Sequence, residues 1–250
     1  MRIQDAIVTM ISYGKQPSKR RLIREAYEFR NKTGLEIGGP TKMFGLRGTF
    51  PIYLFARKVD NVNYGRETFF GNYQEGMTYN YHRGKFGRQF IAEATSLDEI
   101  PDNSYDFILS SHSLEHTANP IKALKEWNRI VKPGGKLVLI LPDKRNTIDH
   151  KREYTTFAHL LEDYTRNTTE HDTTHFDEIL STFDEDVAKV QLKEYTKQIR
   201  NNYANRCAHH HVFHPNIVKA ALEYVGFAVD SQYESLPFHL ITNATKKGNT

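Results

Sequence analysis

The clearest alternation of apolar and polar segments lies between residues 103 and 143. A short apolar run at 107–109 ends abruptly in polar residues, which is typical of a strand buried on both faces. From Pro120, apolar residues recur every three or four positions, which predicts a helix with one buried face; they are Ile121, Leu124, Trp127, Ile130 and Val131. The sequence KPGG at 132–135 ends this helix, and 137–141 is a second apolar run.

A strand, a crossover helix and a second strand in about thirty residues form a βαβ unit, so the sheet should be parallel. In open sheets of this type, ligands bind outside the carboxyl ends of the strands. Those ends are residues 110–112 and 142–144. We therefore expect the functional site to include Ser111, His112 and Asp143.

The segments before this unit supply further elements. Residues 1–33 have apolar stripes at helical spacing and predict N-terminal helices. Residues 34–37 are the candidate first strand, the next apolar segment begins at 52–55 and is followed by 59–64, and 90–92 is the candidate third strand. Residues 65–88 have almost no periodicity, so we predict a surface loop or a short helix there. The core is expected to occupy 34–143.

The chain after residue 143 leaves the strand and helix alternation. Residues 144–206 are polar, with helix candidates at 156–164, 176–180 and 184–202, and we expect an inserted helical cap. Residues 207–250 should return to the core through a helix at 216–224 and two strands, at 228–233 and 239–243.

Composition narrows the classes of function. The formal net charge is +4, from 34 basic and 30 acidic residues, and the two signs are interleaved, so no nucleic-acid footprint is expected. The single cysteine, Cys207, excludes an internal disulfide and fits a reducing compartment. No apolar run approaches the roughly 20 residues that span a bilayer, and no signal peptide is recognised. We expect a cytoplasmic protein.

Three phrases, in this order, carry a family resemblance: YDFILSSHSLEH, NPIKALKEWNRIVKPGG and LVLILPDK. They resemble the fourth strand, the following helix and the fifth strand of class I S-adenosylmethionine-dependent methyltransferases, in the group called methyltransferase type 11. The resemblance implies an α/β fold with a Rossmann-like, doubly wound sheet of seven mostly parallel strands. It also implies S-adenosylmethionine as methyl donor and S-adenosylhomocysteine as product.

Further segments, including HDTTHF and NRCAHHHVF, resemble a bacterial subgroup of these enzymes associated with capsule and surface-polysaccharide genes. This resemblance implies that the methyl acceptor is a sugar or a group attached to a sugar.

The family pattern also implies the residues of the glycine-rich turn. Glu36 matches the acidic position of the first strand, and Gly38 and Gly39 match the start of the turn, where glycine lets the backbone approach a ligand closely. A third glycine is absent and Pro40 takes part in the turn instead.

A carboxylate at the end of the second strand is implied for the ribose, because its oxygens can accept hydrogen bonds from two adjacent hydroxyls. Asp60 is the expected residue and Glu67 the alternative. The remaining expected cofactor contacts are Glu93 and Ala94, near the adenine, and Ser111.

Methyl transfer is an in-line displacement, and a hydroxyl acceptor must also lose a proton, which suits a histidine base. Most of the twelve histidines lie between His150 and His214. Alternate residues of an extended segment face the same way, so His209 and His211 should share a side, and one of them is expected to be the base. His112 and Asp143 should line the same cleft.

A divalent metal is an alternative, with His209, His211, His175 and Asp143 as nitrogen and oxygen ligands. No compact motif such as HExxH is present, so we favour a site without metal. His116 belongs to the LEH phrase and is expected to anchor its loop.

Two other functions stay open. The acceptor can be phosphate-linked or an amine, since the Lys and Arg residues of 144–206 suit an anionic group. Alternatively, the altered glycine turn can belong to a non-catalytic S-adenosylmethionine-binding module. A nucleic-acid methyltransferase is disfavoured, because there is no Pro-Pro-Tyr or Pro-Pro-Phe motif and Arg206, not proline, precedes Cys207.

Overall fold

The computed structural model describes residues 17–68, 71–235, 237 and 239–248. The helix expected at the start of the chain lies largely outside these residues. The first described helix, α1, spans Pro17–Tyr27.

The strands of the described chain are β1 (Thr33–Ile37), β2 (Lys58–Asn63), β3 (Glu67–Thr68), β4 (Gly71–Asn72), β5 (Gly76–His82), β6 (Lys85–Ile91), β7 (Tyr105–Ser111), β8 (Val131–Pro142), β9 (Phe227–Ser235) and β10 (His239–Lys246). Eight of them form one sheet in the order β5-β6-β2-β1-β7-β8-β10-β9, while β3 and β4 pair separately. Within this order, the five adjacent strands β6, β2, β1, β7 and β8 are parallel to one another. Strands β5 and β10 run antiparallel to their neighbours. The α/β fold and its mostly parallel sheet are as predicted.

The sheet has eight strands rather than the expected seven, and the additional strand is β5. It arises from residues 65–88, which were predicted to be a loop or short helix. Tyr79 and Tyr81 of β5 are buried, whereas Thr78 and Asn80 are exposed. This alternation is that of an edge strand with one packed face, and it is too short and too polar to stand out in the sequence.

The remaining helices are α2 (Ile52–Phe55), α3 (Pro120–Ile130), α4 (Phe157–Arg166), α5 (Phe176–Thr182), α6 (Glu185–Ala188), α7 (Leu192–Arg200), α8 (Asn202–Asn205) and α9 (Pro215–Tyr224). The helix predicted at 184–202 is divided, because Lys189 adopts a left-handed conformation (φ 57°) that ends α6. The helices α4 to α8 lie in the stretch expected to form the cap.

Apolar side chains cover both faces of the sheet. In β7, Ile108 packs in the cluster that contains Trp127 of α3, whereas Phe107 and Leu109 pack with Phe29 and Tyr53 on the opposite face. A strand buried on both faces reads as a continuous apolar run, which explains the pattern from which the fold was predicted. Within the described residues, no helix is both long and apolar enough to cross a membrane.

Candidate active site

A cavity of about 590 Å³ opens at the carboxyl ends of four neighbouring parallel strands. Its lining includes Gly38 after β1, Asn63 at the end of β2, Glu93 after β6 and Ser111 at the end of β7. This is the place where ligands bind in open parallel sheets, and the volume is within the range of about 300–1,000 Å³ typical of small-molecule sites.

The turn after β1 is held against the cavity by glycine geometry and by asparagines of β2. Gly38 has φ +80°, and a Cβ there would lie 2.2 Å from Ser113 Oγ, so only glycine fits. The Gly39 N–H donates to Asn61 Oδ1 (2.9 Å), and its carbonyl accepts from Asn61 Nδ2 (3.1 Å) and Asn63 Nδ2 (3.2 Å). The Gly39–Pro40 peptide is cis. The hydrogen bonds with Asn61 and Asn63 hold the backbone of the turn where a ligand can reach it.

Glu36 lies beneath this turn and is not among the residues that line the cavity. Its carboxylate accepts hydrogen bonds from the Tyr53 and Tyr79 hydroxyls and from the Thr41 N–H. Burial raises the pKa of Glu36 to about 7, against the lowering effect of these hydrogen bonds. A Cβ at Gly39 would lie 2.5 Å from Glu36 Oε2. Glu36 and Gly39 thus shape the turn from below.

Asp60 does not lie at the end of the second strand, contrary to expectation, because β2 continues for three residues beyond it. Its carboxylate pairs with Lys58 Nζ (2.9 Å) and accepts hydrogen bonds from the Tyr105 hydroxyl (2.9 Å) and the Arg88 N–H (2.6 Å). Neither Asp60 nor the alternative, Glu67, lines the cavity.

The residue that occupies the expected ribose position is an amide. Asn63 ends β2 and lines the cavity beside Tyr64. The sequence pattern pointed to the nearest acidic residue and therefore missed Asn63, whose amide oxygen is also an acceptor.

The end of the third parallel strand carries the expected Glu93 and Ala94, and both line the cavity. Glu93 forms an ion pair with Arg206 (2.5 Å), which also pairs with Glu170 (3.1 Å). Arg206 and Glu170 belong to the stretch between β8 and α9 and line the cavity as well. No spacing or motif in the sequence indicated either residue, since they meet Glu93 only through the tertiary fold.

Ser111 is buried at the end of β7, lines the cavity, and its hydroxyl finds no hydrogen-bond partner among the described residues. Buried hydroxyls are normally hydrogen-bonded. Together with the glycine cradle at Gly38, this hydroxyl is available to a polar ligand, so the residues present fit the expected S-adenosylmethionine.

His112 and His116 line the same cavity. His112 follows β7 in a left-handed conformation (φ 52°), and its Nε2 lies 2.9 Å from His239 Nδ1. Burial, with His239 and His209 nearby, lowers the pKa of His112 to about 4. The His116 Nδ1 lies 3.1 Å from the Ala208 carbonyl oxygen, which requires a proton on that nitrogen.

His209 packs against His116, with ring centroids 4.6 Å apart, and does not itself line the cavity. Its Nδ1 is 2.5 Å from Asp149 Oδ2, and Asp149 Oδ1 also accepts from Arg152 (2.8 Å). Burial alone would lower the pKa of His209, but Asp149 and Glu115 outweigh it and raise that pKa. Burial would raise the pKa of Asp149, but His209 and Arg152 together lower it to about 2. Asp149 and Glu115 therefore make His209 more basic and stabilise the imidazolium that forms when it accepts a proton.

His211 and Asp143 are not where the sequence placed them. His211 is buried (1 % exposed) beside His159 and His175 and does not line the cavity. Segment 207–214 forms no regular strand, so the expectation that His209 and His211 share a side does not hold. The Asp143 carboxylate is bonded to Arg145, starts the turn that follows β8, and lies outside the cavity lining.

Two clusters of potential metal ligands occur within the described residues. One, which we call the cavity cluster, is Glu115, His116 and His209. The other, the cap cluster, is His159, His175 and His211. The ligand set expected from sequence is therefore divided: His209 is in the first cluster, His175 and His211 are in the second, and Asp143 is in neither.

The sequence matches the family described as methyltransferase domain over residues 12–232. No curated protein matches the chain. A structure of an S-adenosylmethionine-dependent methyltransferase from Mesorhizobium loti shares 13 % identity, covers 92 % of this chain and 96 % of its own, with a TM-score of 0.51.

Two further solved structures resemble the chain more loosely. An Aquifex aeolicus methyltransferase shares 14 % identity over 98 % of this chain and 99 % of its own (TM-score 0.47). A Burkholderia thailandensis 1,6-didemethyltoxoflavin N1-methyltransferase, solved with S-adenosylhomocysteine, shares 11 % over 94 % and 80 % (TM-score 0.48).

The chain belongs to the methyltransferase domain family. As the sequence predicted, it is a methyltransferase.

Proposed function

We propose that the protein methylates a hydroxyl group of a sugar or sugar-linked acceptor, with His209 as general base. The observation that carries this proposal is the packing of the Asp149–His209 pair against His116, which lines the strand-end cavity; His209 itself lies outside that lining. The resemblance to enzymes of capsule and surface-polysaccharide synthesis supports a sugar acceptor, made in the cytoplasm.

The cofactor contacts that we propose are the cavity-lining residues at the four strand ends. The turn at Gly38 faces the methionine part, the Asn63 amide oxygen accepts from a ribose hydroxyl, and Glu93 and Ala94 flank the adenine. The Ser111 hydroxyl, which is buried and without a partner among the described residues, provides one further polar contact.

S-adenosylmethionine, when bound, supplies an electrophilic methyl group. That methyl group would pass to the acceptor oxygen as its bond to sulfur breaks, and His209 Nε2 would take up the hydroxyl proton. Asp149 holds the His209 Nδ1–H and stabilises the imidazolium that forms, as an aspartate does in other Asp–His pairs. Arg152 keeps Asp149 ionised and in place.

Calorimetric titration with S-adenosylmethionine and S-adenosylhomocysteine tests the cofactor site. We expect micromolar binding of both by the wild-type protein. Asn63→Ala should weaken it about fivefold to tenfold, the effect of one hydrogen bond of about 1 kcal/mol. Asp60→Asn, a change of similar shape away from the cavity, is the matched control and should bind normally. Absence of binding by the wild type would contradict the proposal, and weakening by Asp60→Asn alone would move the ribose contact back to Asp60.

A phosphate-linked or other anionic acceptor is a second candidate, and Lys42 favours it because this lysine lines the cavity. A screen of nucleotide sugars against neutral glycosides, with mass-spectrometric detection of methylated product, separates the two. Lys42→Met should reduce turnover of anionic acceptors only. Methylation at nitrogen would replace the hydroxyl proposal, and absence of any methylated product across the screen would favour a binding module.

A further inference from the structure

The cap cluster lies outside the cavity lining and has no role in the proposed methyl transfer. His159 and Asp163 are one helical turn apart on α4, so their side chains share a face. His175 immediately precedes α5, and His211 comes from the segment that leads into α9. Four side chains from three separate parts of the chain therefore converge at one point.

The distances between the ligand atoms match a small tetrahedral ion. His159 Nε2 lies 3.0 Å from His175 Nε2 and 3.4 Å from Asp163 Oδ2. The ligand atoms of His159, His175 and His211 all lie within 4.8 Å of one another. Zinc–nitrogen bonds of about 2.0–2.1 Å in tetrahedral geometry place two ligand atoms about 3.3–3.4 Å apart.

Two buried polar atoms of this group have no hydrogen-bond partner in the part of the chain that the structure describes. Asp163 Oδ1 accepts from Thr168 (3.1 Å), whereas Asp163 Oδ2 is without a partner. His211 Nε2 lies 3.3 Å from the Ala118 carbonyl oxygen, which requires a proton on that nitrogen, so the partnerless Nδ1 carries a lone pair. Buried polar atoms are rarely left in this state, and a cation would satisfy both.

The groups around the cap cluster also resemble the hydrogen-bond partners of metal-bound histidines. Metal-bound histidines usually direct their second nitrogen to a carboxylate or a backbone carbonyl. His175 Nδ1 lies 3.5 Å from Glu178 Oε2, and Glu178 is itself bonded by Arg152 (3.2 Å). For His211, the carbonyl partner is that of Ala118, which lies next to Nε2.

We propose that His159, His175, His211 and Asp163 bind a structural Zn²⁺ ion that holds the cap against the sheet. Three imidazoles and one carboxylate are ligands that zinc accepts, and four protein ligands leave no open position for substrate. The ion joins α4, α5 and segment 207–214. The chain between these ligands also carries Glu170 and Arg206, so the ion fixes the cap side of the cavity.

Metal analysis of tag-free protein tests this proposal without any methyl acceptor, and its result is independent of the proposed function. We expect about one zinc per wild-type chain after dialysis, since structural zinc sites bind tightly at neutral pH. His159→Ala and His211→Ala should hold almost none. His209→Ala, in the cavity cluster, and His82→Ala, on the sheet edge, are the matched controls and should retain the ion.

Folding of each variant is checked by far-ultraviolet circular dichroism, and Asp163→Asn provides a variant of the same shape with a weaker ligand. As a second measurement, apo wild-type protein is titrated with Zn²⁺ against a competing chelator, and with Co²⁺, whose visible absorption reports tetrahedral coordination. Failure of apo wild-type protein to take up zinc would overturn the proposal. So would zinc that survives His159→Ala and His211→Ala, or zinc lost from His209→Ala alone, which would place the ion in the cavity cluster.

Discussion

The cavity cluster and the cap cluster contain the same types of side chain but differ in their hydrogen bonds. In the cavity cluster, His209 is bonded through Nδ1 to Asp149, which Arg152 holds in turn. In the cap cluster, the nitrogens of His159 and His175 face each other, and the nearby Asp163 Oδ2 has no hydrogen-bond partner among the described residues. The first arrangement stabilises the imidazolium that forms when His209 accepts a proton, whereas the second presents several lone pairs to one point. Thus the carboxylate partner decides whether a buried histidine suits proton transfer or metal binding.

The largest loss of turnover is expected when His209 is replaced. His209→Ala should lower turnover by about 10²- to 10⁴-fold, because a positioned general base contributes that much, while zinc content stays unchanged. Asp149→Asn should also lower turnover, since it removes the charge that supports the imidazolium. Steady-state kinetics with the identified acceptor measure both, with His82→Ala as control. A normal rate in His209→Ala would show that the cavity cluster does not supply the base, and the proposed functional difference between the two clusters would be lost.

The buried carboxyl of the cavity cluster should make stability depend on pH. Burial raises the pKa of Glu115 from 4.5 to about 7. The folded protein therefore holds this proton more tightly than the unfolded chain does. Its contribution to stability is complete below pH 4.5 and is lost as the pH rises through about 7. The difference is on the order of 3 kcal/mol.

Glu115→Gln should remove this decline, which urea unfolding between about pH 5 and pH 8 measures. Glu36→Gln is a matched comparison, because burial raises the pKa of Glu36 to a similar value beneath the glycine turn. Each single variant should flatten only part of the curve. An unchanged pH dependence in Glu115→Gln would show that this carboxyl is ionised in the folded protein.

Removal of zinc should affect stability through the cap cluster alone. With free zinc at about 100 times its dissociation constant, binding stabilises the folded protein by about 2.7 kcal/mol. EDTA should therefore lower the free energy of unfolding of the wild type and of His209→Ala by about this amount. His159→Ala should be insensitive to EDTA. An equal response in His159→Ala would assign the ion to other ligands.

The smallest loss of turnover is expected when His112 is replaced, although this histidine lines the cavity. Its pKa is lowered to about 4 by burial and by neighbouring histidines, so it is neutral and weakly basic at neutral pH. His112→Ala should lower turnover about tenfold, equivalent to about 1.4 kcal/mol, through loss of its contact with His239. A loss greater than that of His209→Ala would transfer the role of base to His112.

The predictions from sequence were most accurate where a pattern is local. The helix from Pro120, the apolar strands on either side of it and the glycine turn at Gly38 all form, because periodicity and turn chemistry depend on neighbouring residues. The residue at the end of β2 was missed because the length of this strand could not be read within three residues. Strand β5 was missed because its buried face consists of tyrosines in a polar stretch.

The sequence by itself determined the parallel sheet, the edge at which the cavity opens and the presence of many histidines after residue 143. Only the tertiary structure decided that His209 lies with His116 and Asp149, that His211 lies with His159 and His175, and that Arg206 reaches Glu93. The physical reason is the separation in sequence between the residues that interact. Strand and helix patterns follow from repeats of two and 3.6 residues, whereas these contacts join residues 36 to 113 positions apart through an irregular segment that has no repeat to read.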